Sequence, residues 1–198
     1  MELKWLGTAG FEIQTGRSRF LVDPFLSRSP GASPEQAISA GDIRSAGQIF
    51  ITHGHFDHIF DVPQIAAQTR ARVYASREAC DHLRNKGMLS DQLCEVIHSL
   101  QRFEFSDFSA TAYFSTHIKF DFRLVAATLL RINFRLFGLL PLIKEYPCGQ
   151  AIGWQFHAEG KTILFFGSAG STQEELSTLA QTPVDILMIP LQGRTDIC

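Results

Sequence analysis

Three histidines and an aspartate lie within six residues, directly after Gln48–Thr52, a short apolar segment that is predicted to be a strand. With the threonine that precedes it, the cluster reads THGHFDH. Side-chain direction alternates along extended backbone, so His53 and His55 should point the same way, while Asp57 and His58 can face a second position nearby. Imidazole nitrogens and a carboxylate oxygen are the donors that a divalent metal needs. The motif therefore predicts a metal site at a strand end, and the alternative is a set of scattered surface histidines.

The composition is that of an ordinary globular domain. The chain has 198 residues, 45% of them hydrophobic, and its 18 Lys and Arg against 20 Asp and Glu leave a formal net charge of −2. This length suits one domain, which we expect to span residues 1–198. The slightly acidic balance gives no overall attraction to nucleic acid, so no nucleic-acid partner is expected.

The number and spacing of the cysteines indicate the redox state of the compartment in which the protein folds. Cys80, Cys94, Cys148 and Cys198 are widely spaced, without a CxxC pair or the dense framework of a small secreted domain. We therefore predict four free thiols in a reducing environment. The first residues also lack the apolar core and cleavage site of a signal peptide, so the expected location is cytoplasmic.

Short strands alternate with helices in each half of the chain, which predicts an α+β fold of two sheets packed face to face with helices outside. The predicted strands are Lys4–Leu6, Gly10–Thr15, Arg19–Asp23, Gln48–Thr52, Arg72–Ala75, Phe103–Phe108, Ser109–Thr116, Gly149–His157, Lys161–Phe166 and Val184–Pro190, the last of them buried. The predicted helices are Asp61–Thr69, a Ser76-capped helix through Asn85, and Ser171–Ala180.

An apolar helical insertion is predicted at about residues 123–146. At 100° per residue, Arg123, Arg131 and Arg135 fall on one narrow face and apolar side chains cover the rest. Arg131, Asn133 and Arg135 lie near the middle of the apolar run and argue against a transmembrane span. Two interpretations stay open. The helix packs on the core, or it forms a lid that binds an apolar substrate portion or rests on a membrane surface as a peripheral contact.

Together with THGHFDH, the opening segments WLGTAGF at 5–11 and FLVDP at 20–24 resemble the metallo-β-lactamase fold, a superfamily of metal-dependent hydrolases. The chain looks most like the branch that contains L-ascorbate-6-phosphate lactonase and the phospholipase D acting on N-acyl phosphatidylethanolamines. The resemblance runs from Leu3 to about Thr195. It implies a four-layer αββα sandwich of two mixed β-sheets, with the last strand and helix of that fold missing before Cys198.

The resemblance also implies a ligand set. His53 and His55 would bind one metal, Asp57 and His58 a second, and Asp23 would support the site. The first metal needs a third histidine from a later strand, and His117, 59 residues after His58, ends a predicted strand. The competing histidines, His82, His98 and His157, fit surface positions better.

The chain departs from the family pattern at the second metal. Ser168 follows the strand and glycine after which the family places a bridging aspartate, and a hydroxyl is a far weaker ligand for a hard dication. The last family histidine would lie beyond Cys198, either because the site is reduced or because the chain is a truncated form. We therefore expect one tight metal site and a weak or empty second one. Zinc is the expected ion, with manganese or iron as alternatives.

The predicted function is metal-dependent hydrolysis, in which a metal-bound hydroxide cleaves an ester, lactone or phosphodiester bond and Asp57 orients the water or acts as general base. The substrate would be a small molecule or lipid-like, and the protein a homo-oligomer. The alternative is a non-catalytic metal-binding or ligand-binding member of the fold that has lost turnover with its second-site ligands.

Overall fold

The amino-terminal half of the chain forms a six-stranded mixed sheet in the computed structural model, which describes residues 1–28, 35, 37–117, 145–168, 180–181 and 183–190. The strands of this sheet are β1 (Glu2–Gly7), β2 (Gly10–Gln14), β3 (Arg19–Val22), β4 (Gln48–Phe50), β5 (Arg72–Ala75) and β6 (Cys94–Val96). They lie in sequence order, antiparallel from β1 to β3 and parallel from β3 to β6. The connection from β4 to β5 contains the helices α1 (Phe56–Ile59) and α2 (Val62–Thr69), and the connection from β5 to β6 contains α3 (Arg77–Asn85).

The second half forms a five-stranded sheet. Its strands are β7 (Arg102–Glu104), β8 (Phe108–Ser115), β9 (Ala151–Ala158), β10 (Lys161–Phe166) and β11 (Ile186–Met188), in the order β11-β10-β9-β8-β7. All neighbours are antiparallel except β10 and β11. The predicted turn between β9 and β10 is confirmed, and it needs left-handed backbone at Glu159 (φ 50°) and Gly160 (φ 72°).

One of the two large cores lies between the two sheets and is rich in aromatic rings. Phe20 and Val22 of β3 face this core, whereas Leu21 faces the helices, as the period-two alternation of a strand requires. Phe50 of β4 packs edge-to-face against Trp154 and Phe156 of β9, with ring centroids 4.9 and 5.0 Å away. The buried Trp154 indole Nε1 also donates to the Ile51 carbonyl oxygen at 3.0 Å. The sheets are thus joined near the end of β4, which the histidine motif follows.

The helices cover the outer face of the first sheet. Ile65 of α2 and Leu83 of α3 are fully buried there. The predicted cap of α3 is confirmed, because the Ser76 hydroxyl accepts a hydrogen bond from the Ala79 amide at 3.3 Å. These layers agree with the predicted α+β sandwich of two mixed sheets. The fourth layer depended on the predicted helix at 171–180, and all of that helix but residue 180 lies outside the described residues.

The prediction of four free thiols is wrong for two of them. Cys80, on the buried face of α3, forms a disulfide with Cys94 at the start of β6, with their Cα atoms 5.8 Å apart. The pairing depends on α3 docking beside β6, which no CxxC spacing signals. Cys148 is free, and Cys198 lies outside the described residues. The cytoplasmic location, inferred in part from free thiols, loses that support.

The last predicted strand also differs from the structure. It spans Ile186–Met188 rather than Val184–Pro190, and Leu187 is 57% exposed. An apolar run suggests burial on both faces, but β11 is the outermost of the described strands of its sheet, and its central side chain stays exposed. Residues 118–144, which hold nearly all of the predicted insertion, lie outside the described part of the chain. Within that part, no helix is long and apolar enough to cross a membrane.

Candidate metal centre

His53, His55 and His117 converge from two different sheets. His53 and His55 follow β4, and His117 lies two residues after the end of β8. Their ring centroids are 4.7 to 4.9 Å apart, and one nitrogen from each lies within 4.8 Å of the others. The structure therefore brings together the three side chains that the resemblance assigned to the first metal.

The protonation of these imidazoles suits a metal. Burial, reinforced by the neighbouring imidazoles, lowers the pKa of His53 well below its usual 6.5, and burial also lowers the pKa of His55. Both rings are thus neutral at pH 7 and have a free lone pair. Four nitrogen ligands around zinc in a tetrahedron lie about 3.4 Å apart. The trio therefore fits a transition metal after the rings close by about an ångström.

A buried hydrogen-bond network that starts at Asp23 orients the imidazole rings of His53 and His58. The Thr52 hydroxyl donates to Asp23 Oδ2 at 2.5 Å and lies 3.0 Å from His53 Nδ1. The hydroxyl has a single hydrogen, so His53 Nδ1 must be the donor in the second contact. This leaves His53 Nε2 as the free lone pair, since the partner of one ring nitrogen selects the tautomer.

His58 stands beside the trio. Its ring centroid is 3.8 Å from that of His53, and its Nδ1 lies 2.8 Å from Asp23 Oδ2. Burial lowers the pKa of His58, but the charge and hydrogen bond of Asp23 and the charge of Asp57 together outweigh it, so the net shift is upward. The resemblance implied that Asp23 supports the site, and these contacts give a physical basis for that role.

Asp57 is the accessible carboxylate of the centre. Its Oδ2 lies 3.9 Å from His58 Nε2, and its side chain is 34% exposed. Neither Asp57 nor His58 belongs to the three-residue group that meets the distance criterion for a shared ion among the described residues. The structure therefore places this pair next to the trio, at a position separate from it.

Backbone contacts with the second sheet hold the histidine loop in place. The Gly54 amide donates to the Cys148 carbonyl oxygen at 2.7 Å, and the Ile152 amide donates to the Thr52 carbonyl oxygen at 2.8 Å. A Cβ atom at Gly54 would lie 2.3 Å from the Pro147 carbonyl oxygen. Only glycine, at the position between His53 and His55, lets the loop approach the Pro147 carbonyl oxygen this closely.

The centre opens into a cleft of about 730 Å³. His53, His55, Asp57, His58 and His117 line it, together with Ser168, which is 4% exposed. The lining also has an apolar part that includes Phe166, Leu187, Met188 and Ile189. Ser168, which was predicted to stand in place of an aspartate, therefore lies in the same cleft as the histidines.

Sequence reasoning gave Asp61 no role, yet it is a buried structural residue of the centre. Its Oδ2 accepts hydrogen bonds from the Leu26 and Ser27 amides at 2.6 and 2.7 Å, and its Oδ1 accepts one from the Ser27 hydroxyl at 2.5 Å. These bonds fix the loop that follows Asp23. An aspartate between the apolar residues Phe60 and Val62 is the signal that could have revealed it, because a buried carboxylate requires donors.

The competing histidines do not approach the centre. His98 and His157 are exposed. His82 of α3 packs on the Tyr146 ring, with 4.6 Å between the ring centroids. Among the described residues, the three-histidine group is formed by His53, His55 and His117 alone.

Two proteins named "UPF0173 metal-dependent hydrolase" are similar in sequence. The one from Methylobacterium nodulans is 35% identical over 88 residues, which cover 44% of this chain and 37% of that protein. The one from Carboxydothermus hydrogenoformans is 28% identical over 193 residues, covering 98% of this chain and 73% of that protein. The chain thus matches little more than a third of the length of the first relative.

A solved structure shows the same fold. Igni18, a metallo hydrolase from Ignicoccus hospitalis, superposes with a TM-score of 0.67 at 17% identity, covering 97% of this chain and 71% of that one. The sequence profile of the family described as "Beta-lactamase superfamily domain" matches residues 18–197. Because that match includes most of the chain and all of the converging histidines, we conclude that the chain belongs to the β-lactamase superfamily and has the metallo-β-lactamase fold.

Proposed function

We propose that the chain is a metal-dependent hydrolase that holds one tightly bound transition metal on His53, His55 and His117. Zinc is the ion that we propose first. The observation that carries this proposal is the convergence of three imidazoles at the floor of an open cleft. Three protein nitrogens leave one position of a tetrahedral ion open to water, which is the ligand pattern of catalytic rather than structural zinc. When bound, such an ion supplies Lewis acidity and lowers the pKa of water to about 7.

Asp57 is the residue to which we assign proton transfer. It lines the cleft, it is partly exposed, and it stands beside the trio. A carboxylate in this position can accept a proton from the attacking water and pass it to the leaving group. His58, fixed through its Nδ1 by Asp23, has its Nε2 3.9 Å from Asp57 Oδ2, so the two side chains lie close together beside the trio.

The described lining also suggests a substrate class. The wall formed by Phe166, Leu187, Met188 and Ile189 favours an apolar group next to the bond that is cleaved. We therefore propose a substrate that carries an apolar substituent beside an ester, lactone or phosphodiester bond.

Ser168 favours a second candidate, a non-catalytic binding protein of the same fold. It is buried in the cleft where a carboxylate was expected, and a hydroxyl brings no negative charge to balance a second dication. Such a protein would bind the metal at the trio without turnover.

Hydrolysis by the metal-free and zinc-loaded protein separates the two candidates. We expect apo protein to be inactive, and one equivalent of zinc to restore hydrolysis of p-nitrophenyl esters of increasing acyl length, with bis-p-nitrophenyl phosphate as the phosphodiester comparison. Calorimetry should show about one tight site per chain. Tight zinc binding without hydrolysis of any of these substrates would favour the binding protein, and two tight sites would contradict the one-metal proposal.

Replacing Ser168 by aspartate should strengthen a second metal site. The new carboxylate adds an anionic oxygen to the cleft that Asp57 and His58 also line, and charge is what a hydroxyl cannot supply. The gain should be partial, because the second ion would have only three protein ligands. Zinc titration of the apo S168D and wild-type proteins by calorimetry measures it. Unchanged stoichiometry and affinity would mean that Ser168 does not occupy the bridging position.

A further inference from the structure

The segment from Glu145 to Gln150 runs from helix α3 to the metal centre and is anchored at both ends. Glu145 pairs with Lys86, with 2.9 Å between Oε1 and Nζ, and the Tyr146 ring is buried against His82. At the other end, the Gln150 amide donates to Glu78 Oε2 at 3.3 Å. Both ends of this segment are therefore held on α3, one at its first turn and the other near its last turn.

The backbone of this segment contacts the loop that carries His53 and His55, which we call the first arm of the trio. The Cys148 carbonyl oxygen accepts the hydrogen bond from Gly54, the residue between His53 and His55. Gly149 has φ of 63°, and a Cβ atom there would lie 2.7 Å from Glu78 Cβ, so the chain passes tightly over α3. This packing limits the positions that the Cys148 carbonyl can take.

The side chain of Gln150 contacts the end of β8, which leads to His117 and which we call the second arm of the trio. Its Nε2 donates to the Ser115 carbonyl oxygen at 2.7 Å and to the Ala151 carbonyl oxygen at 2.9 Å. Both partners are carbonyl oxygens, so the atom that faces them must be the amide nitrogen. Ser115 is the last residue of β8, two residues before His117. The amide therefore ties the end of β8, two residues before His117, to the start of β9.

We propose that Gln150 is a positioning residue for the metal centre. Its side-chain amide fixes the backbone from which His117 projects, while Cys148 of the same segment fixes the loop that carries His53 and His55. The two arms of the trio come from different sheets, and residues 148–150 contact both of them. This inference rests on the proposed metal-binding function.

The test measures zinc affinity of the apo protein by competition with a chromophoric chelator. Gln150→Met keeps the length of the side chain but removes both donors, and we expect zinc to bind 10- to 100-fold more weakly, the usual effect of losing a partner that orients a ligand. The d–d absorption of the cobalt-substituted protein should change as well, because it reports ligand geometry. Gln150→Lys restores donors of similar reach and should bind zinc within about threefold of wild type.

Gln155→Met is the matched control. Gln155 lies on β9 and also makes a side-chain hydrogen bond, from the Tyr113 hydroxyl at 2.6 Å, but it has no described contact with the trio. We expect wild-type zinc affinity in this variant and a similar thermal unfolding midpoint for all the apo proteins. Four outcomes would each overturn the positioning role. Zinc could bind Q150M and Q155M equally weakly, or bind Q150M as tightly as wild type. Q150K could fail to recover zinc affinity, or the apo Q150M protein could be unfolded. If His117→Ala binds zinc as tightly as wild type, the proposed function itself fails, whereas weakening in H117A but not in Q150M removes only this inference.

Discussion

Replacing His117 by alanine should remove both the tightly bound metal and hydrolysis. The trio offers three nitrogens, and a site with two neutral donors left cannot compete with water for zinc at micromolar concentrations. Loss of a residue that only orients a ligand typically weakens binding 10- to 100-fold, so loss of a ligand should cost at least about 100-fold. Elemental analysis after dialysis and ester hydrolysis at one equivalent of zinc measure the two losses.

The contrasting variant is Asp57→Ala. Asp57 stands outside the trio and is partly exposed to the cleft, so its loss should leave most of the zinc in place. Hydrolysis should nevertheless fall by about 10²- to 10⁴-fold, the usual contribution of a general acid or base. His55→Ala should behave like H117A and not like D57A. Equal metal loss in all three variants would contradict the division between ligands and proton-transfer residue.

The position of the candidate site could be predicted from a local pattern together with a family resemblance. Strand periodicity predicted that His53 and His55 would point the same way. The resemblance called for a third histidine from a later strand, and His117 ends a predicted strand, whereas His98 and His157 fitted surface positions better. The structure agrees because both strands end at the same edge of the sandwich. The ligand roles themselves stay predictions until metal is measured.

Features that depend on contacts between distant segments could not be predicted. The Gln150 amide bonds with Ser115, 35 residues earlier, and a glutamine before a strand has no pattern that signals such a contact. The disulfide needs α3 to dock on β6, and the exposure of Leu187 depends on which elements cover that face of β11. In each case the deciding quantity is the packing of another element, which hydrophobic periodicity does not contain.

Replacing Asp23 by asparagine should strongly destabilise the protein even without metal. The Asp23 side chain is fully buried and accepts hydrogen bonds from the Thr52 amide, the Thr52 hydroxyl and His58 Nδ1. Asparagine keeps one acceptor but places an amide group opposite two donors, which leaves buried polar hydrogens unpaired. Breaking a buried charged pair by changing one partner typically costs about 3 to 5 kcal/mol. We expect a loss of about 3 kcal/mol in the free energy of unfolding, measured in urea on the apo protein.

The same substitution should also weaken zinc binding. Thr52 would lose the acceptor for its hydroxyl hydrogen and could donate to His53 Nδ1 instead, which would favour the tautomer that carries hydrogen on Nε2 and blocks the ligand atom. Asp91→Asn is the control, because Asp91 is a surface carboxylate, 88% exposed, that pairs with Arg84 at 3.3 Å, and exposed pairs contribute about 0 to 1 kcal/mol. A stability loss in D23N no larger than in D91N would show that the buried network is not what holds the centre together. Wild-type zinc affinity in a destabilised D23N would separate the two roles and leave Asp23 with the structural one alone.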